Sequence, residues 1–358
     1  MSAKFMETAM NSTSGPDTRP WRGTRLRAGD WVVVRSADEI LATLDECGCL
    51  DGLPFQPEML HWCGRRMKVR ASAHKTCDTV AKTGGRSMND AVHLEGSRCN
   101  GEAHGGCQAD CSFFWKEQWL LPDGAGSRRP EVGESGSRPA RYTLADLERA
   151  TRRETAAEGS ETWVCQATRL LDATQPLSGW NAWQYLRDVT SGNWRPWELA
   201  KVLIFAGYRQ LLALGVGYRA LTWAYEVVRR RTGGLPLKRE GGPIPVGQPT
   251  PTEDLNLQPG ELVEVKALDE IVPTLNQRSY NRGMRFDKEM AAYCGQQFRV
   301  LRRVDRIIDE ATGKMAVMKT PCIQLEGTVC RALCSAGRLG CPRAIQEYWR
   351  EIWLRRVA

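Results

Sequence analysis

The sequence predicts an α+β protein in which two homologous, small β-rich modules flank a helical middle region. Three observations support this fold class. The two ends of the chain are similar to each other in sequence. Each end combines a glycine turn, a short β-branched strand and a capped helix. A long apolar segment with helical length and arginine-rich flanks lies between them.

The internal repeat aligns residues 26–69 with residues 257–300 without a gap. The matched segments include "DEI", "EM", "CG", "LEG" and "GC", and they continue as far as "WKEQWL" in one copy and "WREIWL" in the other. An ordered series of this kind is typical of a duplicated unit. We therefore predict two copies of one module, at 26–121 and 255–358.

Each copy predicts short strands joined by short helices. The segments "GDWVVV" and "GELVEV" are glycine turns followed by strands. In the first copy Ser36 precedes the next helix and Glu39 follows three residues later, which is a capping box. Ala267 replaces that serine in the second copy, so the cap there is weaker. Several short strands after a glycine turn indicate an SH3-like or other small barrel.

The apolar part of the middle region, 197–231, is interrupted by Lys201, Arg209 and Arg219, which argues against a membrane span. We predict a packed helix or a helical pair here, and an amphipathic helix on a membrane surface is the alternative. A further helix is expected to start at Thr143. The other predicted segments are a disordered leader at 1–25, a linker at 122–140, the helical middle region at 141–235 and a Pro/Gly connector at 236–254.

Composition narrows the class of protein. The net charge of +8 is mild for 358 residues, and no run of lysine and arginine alternates with aromatic residues, so nucleic-acid binding stays open but is not favoured. The first residues contain no apolar segment of the secretory type. Together with an odd total of 13 cysteines, this predicts a reducing compartment, the cytoplasm.

Clustered thiols in such a compartment are more typical of metal sites than of disulfides. The two loops that begin at Cys99 and Cys330 are the matched positions, and each contains a CxxxC pair. We predict one zinc ion per module, two per chain, although an iron–sulfur cluster also uses four thiolates. Without metal, these thiols would be buried core residues. The candidate ligands are Cys77, Cys99, Cys107 and Cys111 in the first module, with His104 as a substitute, and Cys322, Cys330, Cys334 and Cys341 in the second.

Other polar residues are weaker candidates. Nucleophilic catalysis by a thiol would need a nearby base, such as His104, His93 or His74. All four histidines lie in the first module, so the second would lack this chemistry, and roles as ligands or surface groups are favoured. The matched carboxylates could orient metal ligands or form salt bridges, and both interpretations stay open. These carboxylates are Glu95, Glu326, Glu117 and Glu351.

The "LEGxxC" and "WxExWL" segments of both modules resemble those of a group of bacterial proteins of uncharacterised activity. The resemblance covers the two modules and leaves out the middle region. It implies no established activity, so it assigns no catalytic residues.

The function that the sequence predicts is that of a cytoplasmic zinc-binding accessory or scaffold protein whose two modules contact a protein partner. Small modules gain folding free energy from a structural metal, which is reason enough for the thiols. One alternative is a metal-dependent enzyme with an open metal position in the first module. Further alternatives are a nucleic-acid-binding protein and peripheral membrane contact through 197–231.

Overall fold

The computed structural model contains helices and antiparallel sheets, with a five-stranded sheet towards each end of the chain and helices between them. The α+β class is therefore confirmed. Within the described residues, no helix has the length and apolarity to span a membrane. The predicted leader and linker lie almost wholly outside the described residues, as does part of the predicted connector. The described residues are 25–123, 142–154, 161–215, 218–232, 241–334 and 337–357.

The first module is built around a sheet with the order β8-β7-β4-β1-β9, in which all neighbours are antiparallel. Its strands are β1 (Trp31–Val34), β2 (Cys49–Leu50), β3 (Leu53–Pro54), β4 (Arg66–Ser72), β5 (Lys75–Cys77), β6 (Gly85–Ser87), β7 (Ala91–Leu94), β8 (Trp115–Lys116) and β9 (Leu120–Pro122). Its helices are α1 (Ala37–Leu41) and two 3-10 helices, Pro57–Trp62 and Glu117–Trp119.

The middle region contains the predicted helical pair, α4 and α5, and a strand that extends the first module. Strand β12 pairs with β6, so that β12, β6 and β5 form a three-stranded sheet. The elements in chain order are α2 (Leu144–Ala150), β10 (Arg152–Glu154), β11 (Glu161–Trp163), β12 (Gln175–Leu177), α3 (Ala182–Thr190), α4 (Pro196–Ala213) and α5 (Tyr218–Thr232).

The second module is built around a sheet with the order β18-β17-β16-β13-β19. Each strand occupies the place of its sequence counterpart in the first sheet. Its strands are β13 (Leu262–Val265), β14 (Tyr280–Asn281), β15 (Met284–Arg285), β16 (Gln297–Ile308), β17 (Met315–Val329), β18 (Gln346–Trp349) and β19 (Leu354–Arg356). Its helices are α6 (Leu268–Ile271) and three 3-10 helices, Val272–Thr274, Lys288–Tyr293 and Glu351–Trp353.

The two cores are packed in the same way around matched tryptophans. Trp119 and Phe55 meet edge to face with ring centroids 5.3 Å apart, and Trp353 and Phe286 repeat this contact at the same distance. Each indole N–H donates to a threonine hydroxyl, at 3.1 and 3.0 Å. Buried aromatic pairs of this kind contribute beyond their buried area. The matched packing explains why the same tryptophan motif ends both copies.

The first core also takes in residues of the middle region. Tyr142, Leu147 and Leu170 are buried in it, although they lie beyond the predicted end of the module at 121. The second core, as far as the described residues show, is formed within 255–354 alone. The first module and the start of the middle region therefore share one core.

The two capped helices follow the sequence pattern. The Ser36 hydroxyl accepts from the backbone N–H of Glu39, and the Glu39 carboxylate accepts from the backbone N–H of Ser36, at 2.9 Å. Ala267 has no side-chain oxygen, and only the return bond from its N–H to Glu270 is present, at 3.0 Å. One half of the capping box is therefore missing in the second module.

The two modules contact each other reciprocally. Near the end of β16 in the second module, the Arg306 carbonyl accepts a hydrogen bond from the backbone N–H of Gln108 in the first module, at 3.1 Å. Lys75 is the counterpart of Arg306 in the first module, and its ammonium group donates to the Leu339 carbonyl of the second module at 2.8 Å. The corresponding strands of each module therefore lie on the cysteine loop of the other. This arrangement places both cysteine loops at the contact between the modules.

Candidate metal centre

Four cysteines line one small cavity of about 30 Å³ beside the first cysteine loop. This is room for a single ion or water molecule. Three of them, Cys99, Cys107 and Cys111, belong to the predicted ligand set, and the fourth is Cys165 from the middle region. The sequence offered no role for Cys165, because it lies outside the repeat.

The loop closes because its backbone makes short contacts within itself. The N–H of Cys99 donates to the carbonyl of Cys111 at 2.9 Å, which brings the two ends of the loop together. Gly101 has a φ of +74°, and a Cβ at that position would overlap the backbone of Cys107. Only glycine fits this turn without strain. This turn brings the backbone of Cys107 against Gly101, two residues after Cys99.

One backbone N–H group points at a sulfur of this cavity. The N–H of Ile308, at the end of β16, donates to the Cys107 sulfur at 3.3 Å. A hydrogen bond donated to sulfur stabilises the thiolate form over the thiol. Thiolate is the form that binds metal.

A carboxylate and an imidazole stand at the edge of the same cavity. The Glu58 Oε1 atom lies 2.6 Å from His104 Nδ1 and 3.8 Å from the Cys99 sulfur. These three side chains offer ligand atoms that all lie within 4.8 Å of one another. Glu58 Oε2 is buried and has no hydrogen-bond partner among the described residues. An unpartnered buried carboxylate oxygen is costly, and a nearby cation would offset that cost.

The protonation states follow from burial. Burial, together with Glu58 and Cys111, raises the pKa of the Cys99 thiol far above its ordinary value. Burial likewise raises the pKa of Cys165, to about 11. Burial also acts to raise the pKa of Glu58, but its hydrogen bond with His104 outweighs this, and the net shift is downward. Without a metal, Cys99 and Cys165 are therefore neutral thiols beside the ionised Glu58 carboxylate, and metal binding would release their protons.

A buried arginine from the second module completes the wall of the cavity. The Arg343 side chain is only 2% exposed. It donates to the Thr79 hydroxyl at 2.7 Å and to Glu310 at 3.1 Å. A metal ion with four thiolates carries a net negative charge, which a buried guanidinium would partly balance.

The remaining predicted ligands lie elsewhere. Cys77 packs against Cys341 of the second module, and Cys330 packs beside this pair. The backbone N–H of Cys334 donates to Glu289 at 2.8 Å. Cys322 lies within β17, where its thiol faces the Val304 carbonyl. The predicted sets of the two modules are thus rearranged, with Cys77 placed in the second group of thiols and Cys322 in neither.

The carboxylates near the thiols are not the predicted ones. Glu95 pairs with Lys68 at 3.4 Å in a half-exposed position, and Glu326 is exposed. Instead, Glu58 and its counterpart Glu289 contact the cysteine loops. Glu117 and Glu351 are buried, and as far as the described residues show, neither contacts the cysteine loops. Glu351 accepts from the backbone N–H of Leu257 at 3.2 Å and pairs with Arg303.

Glu58 and Glu289 approach their loops in matching ways. The sulfur of Cys99 is 3.8 Å from Glu58, and the sulfur of Cys330 is 3.9 Å from Glu289. Each carboxylate also accepts a loop N–H at equivalent positions, from Ala103 and from Cys334. Both glutamates could have been found from the sequence, because each is the first residue of the matched "EM" pair.

The other histidines have separate environments. Burial lowers the pKa of His93 well below its ordinary value. The neutral ring donates from Nδ1 to the Phe113 carbonyl at 2.8 Å. His74 lies 3.2 Å from the buried carboxylate of Asp188 in α3. Neither ring lines the thiol cavity.

Comparison with protein-family models, with curated proteins and with solved structures finds no match to this chain.

Proposed function

We propose that this chain is a metal-stapled accessory protein, and that its first module binds one zinc ion in the cavity lined by Cys99, Cys107, Cys111 and Cys165. The ion would join the cysteine loop of the module to the start of the middle region. Glu58 and His104 would support the site from its edge. The metal would act as a structural element that fixes the shape of this half of the protein.

The observation that carries the proposal is the convergence of soft donors on one small buried space. Four thiols line it, and the Glu58 carboxylate, one of whose oxygens has no partner among the described residues, lies 3.8 Å from the Cys99 sulfur. Zinc prefers thiolate and imidazole ligands in a tetrahedron, with Zn–S distances of about 2.3 Å.

A structural role fits this arrangement better than a catalytic one. Both ring nitrogens of His104 have partners, with Nδ1 at 2.6 Å from Glu58 and Nε2 at 3.0 Å from the Val164 carbonyl. The ring therefore has no free nitrogen to act as a base towards the Cys99 thiol. Four thiolates would also leave no open position for a substrate.

The accessory role has a candidate contact surface on the helices of the middle region. Trp180, Trp183, Trp197 and Trp223 are more than half exposed. Exposed aromatic residues are enriched at protein interfaces. We place the contact with a protein partner on this surface. We also propose that the two sheets derive from one duplicated module of the SH3-like class.

Elemental analysis of the full chain tests the metal site. Protein purified with excess zinc and then desalted should retain zinc, and Cys99→Ser and Cys165→Ser should each release the ion from this cavity. Cys47→Ser is the matched control, since Cys47 is exposed and outside the cavity, and it should retain all the zinc. Iron with acid-labile sulfide in place of zinc would identify a cluster and overturn the zinc assignment.

The choice of ligands can be tested separately. His104→Gln should keep the ion, because the proposed ligands are the four thiolates. Loss of the ion from His104→Gln, with retention by Cys165→Ser, would overturn the four-thiolate set. Zinc below about 0.1 per chain in the wild-type protein after loading would sink the proposal altogether.

A further inference from the structure

Helix α4 exposes an apolar stripe along one side. The exposed residues recur at intervals of three and four, and residues with this spacing lie on one face of a helix. The set comprises Trp197, Ala200, Ile204, Gly207, Leu211 and Leu214, the last of which is the C-cap residue. We call this set the α4 stripe. It contains no charged side chain.

The other sides of α4 are packed against the rest of the molecule. Leu199 is buried, and the Arg209 guanidinium donates to the Cys334 carbonyl of the second module. Towards α5, the Tyr208 and Tyr225 rings stack with centroids 5.7 Å apart. The α4 stripe is therefore the side of the helix that is left exposed.

The composition of α4 is that of a buried helix. Its 18 residues include three charged side chains, Glu198, Lys201 and Arg209. A helix that is apolar around most of its circumference is normally covered on all sides. An exposed, contiguous apolar face marks an interaction site. The α4 stripe thus has the character of a contact surface.

Gly207, in the middle of the stripe, points to what covers it. Glycine inside a helix costs about 1 kcal/mol relative to alanine. Within the described residues, a Cβ at this position would meet no atom within 4 Å, so the fold of a single chain does not require glycine here. A second helix packed on the stripe would require it, because a facing side chain can then reach the backbone.

The α4 stripe is complementary to itself in an antiparallel arrangement. With a twofold axis at the middle of the helix, Ile204 of one copy lies level with Gly207 of the other. Leu211 then lies level with Ala200, so that each branched side chain meets a small residue. Large side chains that fill the space over small ones allow helices to pack closely. A patch that meets its own copy in this way is typical of twofold dimers.

The ends and the edge of the stripe also fit this arrangement. Trp197 of one copy lies level with Leu214 of the other, which closes each end with two apolar side chains. Lys201, at the edge of the stripe, lies level with Gln210 and about 13 Å along the axis from the other Lys201. Lys201 therefore does not face its own charge across the contact.

Helix α5 continues the apolar face. Ala220, Trp223 and Ala224 are exposed, and Val227 is half-buried at the same spacing. Small residues add little apolar area at a lipid surface, but they allow a facing helix to approach closely. The mixture of large and small residues on both helices therefore favours a helical partner over a membrane surface.

We propose that two copies of this chain associate through their α4–α5 hairpins, with the two α4 helices antiparallel in a four-helix bundle. The inference rests on the contact surface proposed above, and it names the protein partner of that surface as a second copy of the chain. The α4 stripe contains no cysteine, so the dimer and the zinc site can fail independently.

Sedimentation equilibrium of the full chain tests the dimer. The wild type should have twice the chain mass of 40.1 kDa. Ile204→Glu should be monomeric, because it places a charge at the centre of the apolar contact. Val317→Glu is the matched control and should stay dimeric, since Val317 on β17 is as exposed as Ile204, at 72%, and lies outside the helices. A wild type that is monomeric at about 100 μM would overturn the proposal.

Mixtures of oppositely charged variants test the antiparallel register. Ile204→Lys and Ile204→Glu should each be monomeric, and their mixture should recover the dimer, because the two positions lie about 4.5 Å apart along the axis. A mixture of Trp197→Lys and Trp197→Glu should not recover it, because those positions lie about 25 Å apart. Recovery by the Trp197 mixture would show parallel packing and overturn the register.

Vesicle binding and zinc content separate this inference from the others. Vesicle binding by a monomeric wild type, lost in Ile204→Glu, would assign the stripe to lipid and overturn the dimer; the vesicles contain phosphatidylcholine and phosphatidylserine. Zinc measured in the same samples reports on the metal site. A monomer that retains zinc would refute the dimer alone, and a dimer without zinc would refute the metal site alone. Every substitution is at an exposed position, and circular dichroism checks that the variants fold.

Discussion

The two cysteine loops begin alike and take their additional thiol from different places. In the first module, Cys99 and Cys107 share a cavity with Cys165 from the middle region. In the second, the matching residues Cys330 and Cys341 lie beside Cys77 from the first module. Each loop therefore depends on a segment outside its own module. The two loops share a matched carboxylate, and the additional thiols come from different segments of the chain.

The two cores differ less than the two loops. Both use the same tryptophan and phenylalanine pair, but the first also buries side chains from the middle region. The second core is smaller within the described residues. The two modules therefore share one packing scheme around their sheets and differ in the segments that pack against it.

The largest expected effect is on the matched tryptophans. Trp119→Ala and Trp353→Ala should each lower the free energy of unfolding by about 3–5 kcal/mol, because both indoles are fully buried and leave large cavities. Urea denaturation followed by circular dichroism measures the change. Trp180→Ala is the control, since that side chain is 86% exposed, and it should cost less than about 0.5 kcal/mol. A cost below about 1 kcal/mol for Trp353→Ala would contradict matched packing.

A medium effect is expected from Glu117 and Glu351, the matched glutamates that begin the last 3-10 helix of each module. Burial and the nearby Asp90 carboxylate raise the pKa of Glu117 to about 7 from an ordinary 4.5. Between pH 4.5 and pH 7, Glu117 is therefore protonated in the folded state and ionised in the unfolded state. Stability should therefore fall as the pH rises from about 4.5 to 7, by up to about 3 kcal/mol. The other charged groups that act on Glu117 are Arg25 and Arg187.

The variant Glu117→Gln should remove this dependence, so its free energy of unfolding should exceed that of the wild type at pH 8. The matched variant, Glu351→Gln, should lose stability, because Glu351 pairs with Arg303 at 2.5 Å. Denaturation series at several pH values compare the two. Equal pH profiles for wild type and Glu117→Gln between pH 4.5 and 8 would refute the assignment.

The smallest effect concerns the two helix caps. Ser36→Ala should cost about 1 kcal/mol, because the hydroxyl satisfies a backbone N–H of the first turn. Ala267→Ser should gain a similar amount, because Glu270 already supplies the other half of the capping box. Thermal unfolding of the two variants measures both changes. The melting temperature should fall for Ser36→Ala and rise for Ala267→Ser. Shifts of the same sign would contradict this account of the caps.

Much of the fold could be predicted from the repeat. The gapless match implied two similar units, and the two sheets have corresponding strand orders. The cap at Ser36 and its absence at Ala267 follow from the identity of one side chain each. Local patterns of this kind depend on neighbours in sequence, which is why they can be predicted from sequence alone.

The composition of the thiol groups could not be predicted, because it depends on contacts between distant segments. Cys77 lies in the first module but packs against the loop of the second, and Cys165 lies outside the repeat. A search for ligands within each module necessarily misses both placements. Glu58 and Glu289 could have been found, since both are part of the matched "EM" segment.

The reciprocal contact between the modules has the geometry of a symmetric homodimer, in which one patch meets its own complement twice. Two separate copies of a single module would have to place the same residue at both ends of such a contact. In one polypeptide the two ends of the contact are separate positions in the sequence. Cys77 stands at one end and Ile308 at the other, so the two ends carry different side chains.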